Sequence, residues 1–342
     1  MELSLETMQL LWYVVYLFSM FAYAALDGFD IGVGCLHLFA RSDLQRRIFI
    51  NAIGPVWDGN SLWVVIVSGT LLAGFPKAFA TLFSSLYIPM LFLVFGYIVR
   101  GAAIEFRGKI ESTAWKSLWD TIFAVASYSL AFGFGVVLAN MIGGIQIDEK
   151  GALVGGTLSL FQPYAILLGL FTTSLFMLHG ALYLNMKCEG ELQKRVQNIL
   201  QNVLMCFVFL WGLVTILTLI FQPHMTAIFT SCPPLLAIVF MALIGIALIP
   251  KLLSKGYEGL PFLSSFLIIL SLVLTYALGT YPHMIRLNDT KDSITIYNAS
   301  SSPITMKVLL IIACAGVPLF LLYLFYSYKV FKGKVKLDSM SY

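Results

Sequence analysis

Residues 199–221 read Ile-Leu-Gln-Asn-Val-Leu-Met-Cys-Phe-Val-Phe-Leu-Trp-Gly-Leu-Val-Thr-Ile-Leu-Thr-Leu-Ile-Phe, twenty-three residues without a charge. A bilayer core about 30 Å thick is crossed by about 20 residues of helix rising about 1.5 Å each. Eight further runs share this character, and the nine lie at about 8–26, 56–75, 78–99, 119–140, 161–184, 199–221, 233–250, 260–281 and 305–328. Backbone in hydrocarbon must satisfy its own hydrogen bonds, so the runs are expected to be helices. Alternating ten-residue strands are absent, which excludes an outer-membrane barrel. The expectation is an all-α, polytopic membrane protein, with residues 1–342 forming one transmembrane domain.

Composition agrees. Hydrophobic residues make up 59% and charged residues 11%, the latter about half the usual soluble share of roughly a quarter. That much apolar surface cannot be hidden in a water-soluble globule, so a cytosolic enzyme, a disordered chain and a nucleic-acid binder are excluded. The net charge of +4 matters less than where the basic residues fall. With nine alternating spans, sixteen of the 21 Lys and Arg lie on one side and five, Lys77, Lys150, Arg286, Lys291 and Lys307, on the other. The positive-inside rule then puts the N-terminus outside and the C-terminus in the cytoplasm. The acidic start and long first run read as a retained helix rather than a secretory signal.

Prolines punctuate the runs. Pro55 precedes the second, Pro76 closes it, Pro250 closes the seventh and Pro282 follows the eighth, while Pro89 and Pro318 are expected to kink the helices that hold them. Segment 42–53 reads as a short surface helix capped by Ser42, with Gln45 three residues on and Arg46 and Arg47 toward headgroups. Of five scattered cysteines, Cys206 and Cys314 lie in apolar runs, where the thiol usually acts as a small buried hydrophobe. No disulfide and no cysteine metal site is expected.

The middles of the runs hold almost no ionisable groups, so the exceptions are informative. Asp27 and Asp30 end the first run with i, i+3 spacing, which places both on one helix face. Asp58 opens the second, flanked by Trp57, Gly59, Asn60 and Trp63; Arg100, Glu105 and Arg107 leave the third. In the nine-span topology all lie at the cytoplasmic end. Acids at a helix end can simply meet water or arginine, and Arg100 can snorkel. Asp58, inside a run that otherwise reads as membrane, is expected to be paired, protonated or lining a wet path, because a bare carboxylate there costs about 2.5–3.5 kcal/mol on insertion scales.

Of four histidines, His37 and His224 read as loop residues, His283 follows the eighth run, and only His179 is mid-membrane. A lone intramembrane His is more often a hydrogen-bonding core residue than a ligand, so no complete redox centre is evident. There is no P-loop, Gly-rich dinucleotide fingerprint, nucleophile elbow or HExxH motif. On the residues alone, a proton-coupled secondary transporter and a respiratory-complex subunit both remain open. Transporters often break helices near mid-membrane in matching halves, whereas here the Gly-rich acidic motifs cluster at one face in the first half.

The run Leu26-Asp27-Gly28-Phe29-Asp30-Ile31-Gly32-Val33-Gly34, then Arg46-Arg47, then Asn51-Ala52-Ile53-Gly54-Pro55-Val56-Trp57-Asp58-Gly59-Asn60 with Trp63, resembles subunit II of the cytochrome bd-type quinol oxidases. So do Arg100 with Glu105-Phe106-Arg107-Gly108-Lys109, Trp119-Asp120, His179-Gly180-Ala181 with Tyr183-Leu184, Tyr281-Pro282, Asn298-Ala299-Ser300-Ser301-Ser302 and the closing Lys329-Val330-Phe331-Lys332-Gly333-Lys334-Val335. The resemblance spans the chain. It departs mildly at 283–289, where Arg286 and Asp289 stand in place of small polar residues.

The resemblance implies two four-helix bundles plus one peripheral helix, in a bacterial inner membrane. It implies a heterodimer with a subunit I of like fold that ligates two b-type haems and one d-type haem. That complex oxidises quinol at the outer face, reduces dioxygen to water and takes its protons from the cytoplasm. This chain is then a non-catalytic scaffold that holds no metal and no assigned cofactor, though some members bind a quinone here and some carry a small accessory subunit. By position in the motif, Asp58 is a candidate for a proton path. Trp57, Asn60 and Trp63 are candidates for a dioxygen route or interface. Asp27, Asp30, Arg100, Glu105 and Arg107 are the motif's ion pairs.

Overall fold

The computed structural model describes residues 3–148, 152–287 and 293–337. Twelve helices follow in order: α1 Leu5–Leu36, α2 Asp43–Ile53, α3 Trp57–Gly74, α4 Pro76–Ser85, α5 Tyr87–Phe106, α6 Thr113–Gly143, α7 Pro163–Lys187, α8 Gly190–Phe221, α9 His224–Ser231, α10 Leu236–Ser254, α11 Gly259–Thr280 and α12 Pro303–Val330. A two-stranded antiparallel hairpin, β1 His283–Ile285 with β2 Ile294–Thr295, lies between α11 and α12. Among the described residues eight helices are individually long and apolar enough to cross a membrane. Counting the pair α2–α3, bent by 53°, as one broken span brings the number to nine.

α1 is central. It packs against α3, α6, α7, α11 and α12, while α7 also packs along α6 and α8. α7 is the most enclosed span, and α12 has almost all of its length on the surface of the chain. A membrane interior gives no hydrophobic drive to bring helices together, so close approach depends on small residues. Where α1 crosses α7, a Cβ on Gly32 would fall on the Phe176 carbonyl oxygen, and one on Gly180 would meet the Gly32–Val33 peptide. Glycine at both positions lets the two backbones touch.

Several sequence-based boundaries move. α1 continues to Leu36, so Asp27 and Asp30 lie inside the helix rather than at its end. The third run is two helices broken at Leu86, with Pro76 opening α4 and Pro89 in the first turn of α5. Proline is tolerated in a first turn, where its missing N–H has no intrahelical role. Pro250 lies within α10, which runs on to Ser254. His37 is not a loop residue on the surface but is fully buried just after α1, and His224 opens α9. The buried thiols are Cys35 and Cys188, whereas Cys206 and Cys314 face outward; all five are free. Lys150 and Lys291, used in the charge count, and Asn288, Asp289 and Asp292 lie outside the described residues.

The 42–53 helix forms as expected. Ser42 Oγ accepts from Gln45 N at 3.3 Å, and Gln45 Oε1 reaches back to accept from Arg41 N at 2.9 Å. The second bond lands one residue before the usual capping-box partner.

Candidate functional site: buried acids between the first helices

Asp27 and Asp30, one turn apart on α1, are both wholly buried against α3 and α5. Asp27 Oδ1 accepts from Arg100 Nη1 at 3.0 Å and from Ser61 Oγ at 3.2 Å. Its Oδ2 accepts from the Tyr97 hydroxyl at 2.7 Å. Tyr97 has one hydroxyl proton, so in its 2.8 Å contact with Tyr23 the Tyr23 hydroxyl is the donor. Asp30 Oδ2 accepts from Asn60 Nδ2 at 2.8 Å, and Asn60 Oδ1 accepts from the Tyr328 hydroxyl of α12 at 2.8 Å. Two hydrogen-bonded strings, Tyr23–Tyr97–Asp27 and Tyr328–Asn60–Asp30, thus meet at neighbouring carboxyls. Those two carboxyls face one guanidinium, so the group is electroneutral when the pair holds a single proton. Asp30 Oδ1 and Arg100 Nε and Nη2 are buried without a protein partner.

A second cluster lies at the same end of the bundle. Asp120, near the start of α6, accepts from Arg107 Nε at 2.5 Å and Arg46 Nη1 at 2.9 Å, and its Oδ1 is 2.5 Å from His37 Nε2. Arg107 also reaches Asp43 at 2.6 Å. One buried carboxylate therefore ties the ends of α1 and α5 to α2 and α6. Arg46, expected to face headgroups, turns its guanidinium inward to this cluster.

Of the five residues expected as the motif's ion pairs, Asp27 pairs with Arg100 and Arg107 pairs with Asp43 and Asp120, while Asp30 accepts from Asn60. Glu105 is half-buried near the end of α5. Asp58 differs from expectation: it is exposed on the first turn of α3. Of the acids expected in the site, Asp27 and Asp30 are the enclosed ones, because α1 runs on past them while the α2–α3 bend leaves the start of α3 at the surface. Trp57 is half-buried, 3.3 Å from where a Cβ on Gly101 would stand. Trp63 is buried edge-on between Phe18 and Phe320, with ring centroids 5.8 and 5.3 Å away.

Sequence reasoning passed over Tyr23, Tyr97, Tyr328, Ser61, Asp43, His37 and Asp120 as site residues. Asp120 carried a signal, an acid at the start of a membrane run beside Trp119. The tyrosines carried none, since Tyr is ordinary in such helices.

His179, the histidine inside a membrane-spanning helix, does not fit a haem ligand. His179 Nε2 donates to the Ala25 carbonyl at 2.8 Å, since that oxygen can only accept, and Nδ1 is 2.7 Å from Ser265 Oγ. Its ring is packed by Phe29, Phe262 and Phe266, with centroids at 5.8, 4.8 and 5.1 Å. Both nitrogens are engaged and no face is open. His37 gives Nε2 to Asp120. Among the described residues no group of three or more His, Cys, Asp or Glu could hold a metal ion.

Comparison with known proteins gives a consistent picture. The family described as Cytochrome bd terminal oxidase subunit II matches residues 8–331. The chain is 28% identical to cytochrome bd-I ubiquinol oxidase subunit 2 of Escherichia coli K12, covering 96% of each chain. It is likewise 28% identical to cytochrome bd ubiquinol oxidase subunit 2 of Bacillus subtilis, covering 95% of this chain and 96% of that one. The fold is similar to a chain of the bd oxidase from Geobacillus thermodenitrificans, with a TM-score of 0.79 at 16% identity over 95% of this chain and 98% of that chain.

Proposed function

The chain belongs to the cytochrome bd terminal oxidase subunit II family, and from that membership we propose how it serves a quinol oxidase. It is an inner-membrane component of a complex with subunit I that uses haem and quinol. In our reading it is the haem-free partner of a subunit I that ligates two b-type haems and one d-type haem, and residues 1–342 act as a single membrane unit. The engagement of both ring nitrogens of His179, and of Nε2 of His37 by Asp120, supports that division of labour. The sixteen-to-five split of basic residues supports an N-terminus outside and a C-terminus in the cytoplasm.

The observation that carries the mechanism is the sealed Asp27–Arg100–Asp30 group with its two hydrogen-bonded strings. Dioxygen reduction to water consumes protons, and these must cross low-dielectric protein through titratable groups or water. Asp58, exposed at the same end, takes up the proton. Asn60, two residues along, joins the first turn of α3 to Asp30. The carboxyl pair holds one proton against the Arg100 charge, with water completing the bonds of Asp30 Oδ1 and Arg100 Nη2. Leaving such atoms unsatisfied would cost about 1–3 kcal/mol each. Trp57 and Trp63, beside this group, line an apolar approach for dioxygen, which needs no polar contacts. The 53° bend and the Asp120 cluster hold α3 in place.

The testing experiment is co-purification followed by a visible spectrum and steady-state oxygen consumption with a quinol. We expect a one-to-one complex with a second polytopic subunit that shows haem bands and oxidises quinol. A chain that purifies alone and imports a solute into vesicles would favour the transporter instead.

A further inference from the structure

At the membrane face opposite the Asp120 cluster, three basic side chains converge, none of them ion-paired among the described residues. His224 opens α9, His283 lies in β1, and Arg286 follows it. The backbone holds them against the end of α6: Arg286 N donates to Met141 O at 3.4 Å, Ile145 N donates to Arg286 O at 2.9 Å, and His224 is hydrogen-bonded to the backbone of Ile142. Each carries a buried nitrogen with no hydrogen-bond partner: His224 Nε2, His283 Nδ1 and Arg286 Nε. Arg286 makes no ion pair among the described residues. Beside them is a cavity of about 110 Å³ lined by the amides of Asn140, Gln146, Gln162 and Gln222 and by Gly143 and Gly144. Gly144 is the direct neighbour of Arg286, 3.9 Å from its Cβ by way of a built Cβ.

We propose that this end of the bundle is a binding site for a phosphate-type oxyanion, either the phosphodiester of an anionic lipid or free phosphate. The ligand is an anion because a guanidinium and two imidazoles present unpartnered nitrogens that pair with no carboxylate among the described residues. Burial, and for the imidazoles the Arg286 charge, also hold all three below their ordinary protonation range, a penalty that a bound oxyanion would relieve. Arginine is the side chain best matched to such oxygens. The neighbouring cavity is lined by amides rather than by the three basic side chains, and supplies neutral donors beside them. Leu219, Ile220 and Phe221, all exposed in the last turn of α8, lead directly to Gln222, so an acyl chain could lie beside the site. None of these residues belongs to the acid network, so this site stands independently of the proton reading.

The test uses the detergent-purified two-subunit complex, stripped of lipid. Native mass spectrometry counts retained phosphatidylglycerol and phosphatidylcholine, and calorimetry measures inorganic phosphate. We expect wild type to retain phosphatidylglycerol over phosphatidylcholine. Arg286→Gln should weaken its affinity by about tenfold or more, as loss of a charge-assisted contact implies, and Arg286→Lys should recover most of it. Inorganic phosphate that binds and displaces the lipid identifies free phosphate as sufficient. Phosphate that does neither, with the lipid retained, identifies the lipid. If Arg286→Gln lowers the thermal midpoint of the lipid-free complex, the His224→Gln/His283→Gln variant replaces it in the same assay. Equal binding of phosphatidylglycerol and phosphate by wild type and by the variants, or by neither, overturns the site.

Discussion

Arg100 Nη1 lies 3.0 Å from Asp27 Oδ1 with side chains 1% and 0% exposed, so this ion pair has no access to water from outside the chain. Removing one partner strands the other. Breaking a buried pair on one side typically costs about 3–5 kcal/mol, whereas replacing both leaves no bare charge. Arg100→Gln should therefore lower the thermal midpoint of the complex sharply, and Asp27→Asn added to it should restore part of the loss. A double-mutant cycle on thermal midpoints measures the coupling; additive effects would mean that the pair is not formed.

Asp58 is exposed, so Asp58→Asn should leave folding and haem content alone. If it takes up protons, oxygen consumption per haem should fall about tenfold, in the range by which proton-transfer groups usually act. Asp148→Asn, on the opposite face, should do neither. Normal turnover per haem in Asp58→Asn would remove it from the proton path.

Gly32 and Gly180 should not tolerate a side chain. A Cβ on Gly32 would overlap the Phe176 carbonyl, and backbone cannot yield as a flexible side chain can. Overpacking commonly costs about 1–3 kcal/mol, and Gly32→Ala should reach or exceed the upper end. The amount of assembled complex in membranes is the readout, with Gly69→Ala, which meets nothing within 4 Å, as the control.

His179→Gln should leave haem bands unchanged in position and in amount per assembled complex. The loss of its bonds to Ala25 and Ser265 should cost about 1–3 kcal/mol of stability. A missing haem band at normal assembly would make His179 a ligand.

The stretch after α12 folds back across the bundle end: Val335 N donates to Lys187 O at 2.9 Å, and Lys334 Nζ donates to Glu258 at 2.6 Å. Burial works against the Glu258 charge, but the bonds from Lys334 and Gln193 outweigh it and hold its carboxyl below the ordinary glutamate range. A carboxyl with a lowered native pKa stabilises the fold above its ordinary pKa and loses that contribution as pH falls through the native one. Limited proteolysis of the C-terminal stretch should be slow at pH 6–7 and quicken below about pH 4. Glu258→Gln should flatten that dependence.

Much of the fold was legible in the chain. An uninterrupted apolar run allows few structures in a bilayer, because unpaired backbone is so costly there, and every run but the third reappears as a single helix, though α1 and α8 extend well beyond their expected bounds. The exceptions have local causes. Asp27 and Asp30 looked like a helix end because charge normally marks water, yet α1 continues and buries them with Arg100. The third run looked continuous because nothing around Leu86 is polar. That Asp27, Asp30 and Arg100 share one end of the membrane could be anticipated from charge and depth, but which of them pair, and the tyrosines that complete the group, could not.

The sequence by itself determined that this is a helical membrane protein, how its spans alternate, and which motif places it beside subunit II of the bd oxidases. Hydropathy and charge are local quantities, and the bilayer converts them directly into topology. Only the tertiary structure decided that Asp58 is exposed while Asp30 is enclosed, that Asp120 gathers Arg46, Arg107 and His37, and that His224, His283 and Arg286 meet. Most of those relations join residues distant in the chain, as His37 and Asp120 are at 83 positions. They depend on which helix faces turn toward one another, and that is fixed by close packing at sites such as Gly32 and Gly180 rather than by any property of a segment taken alone.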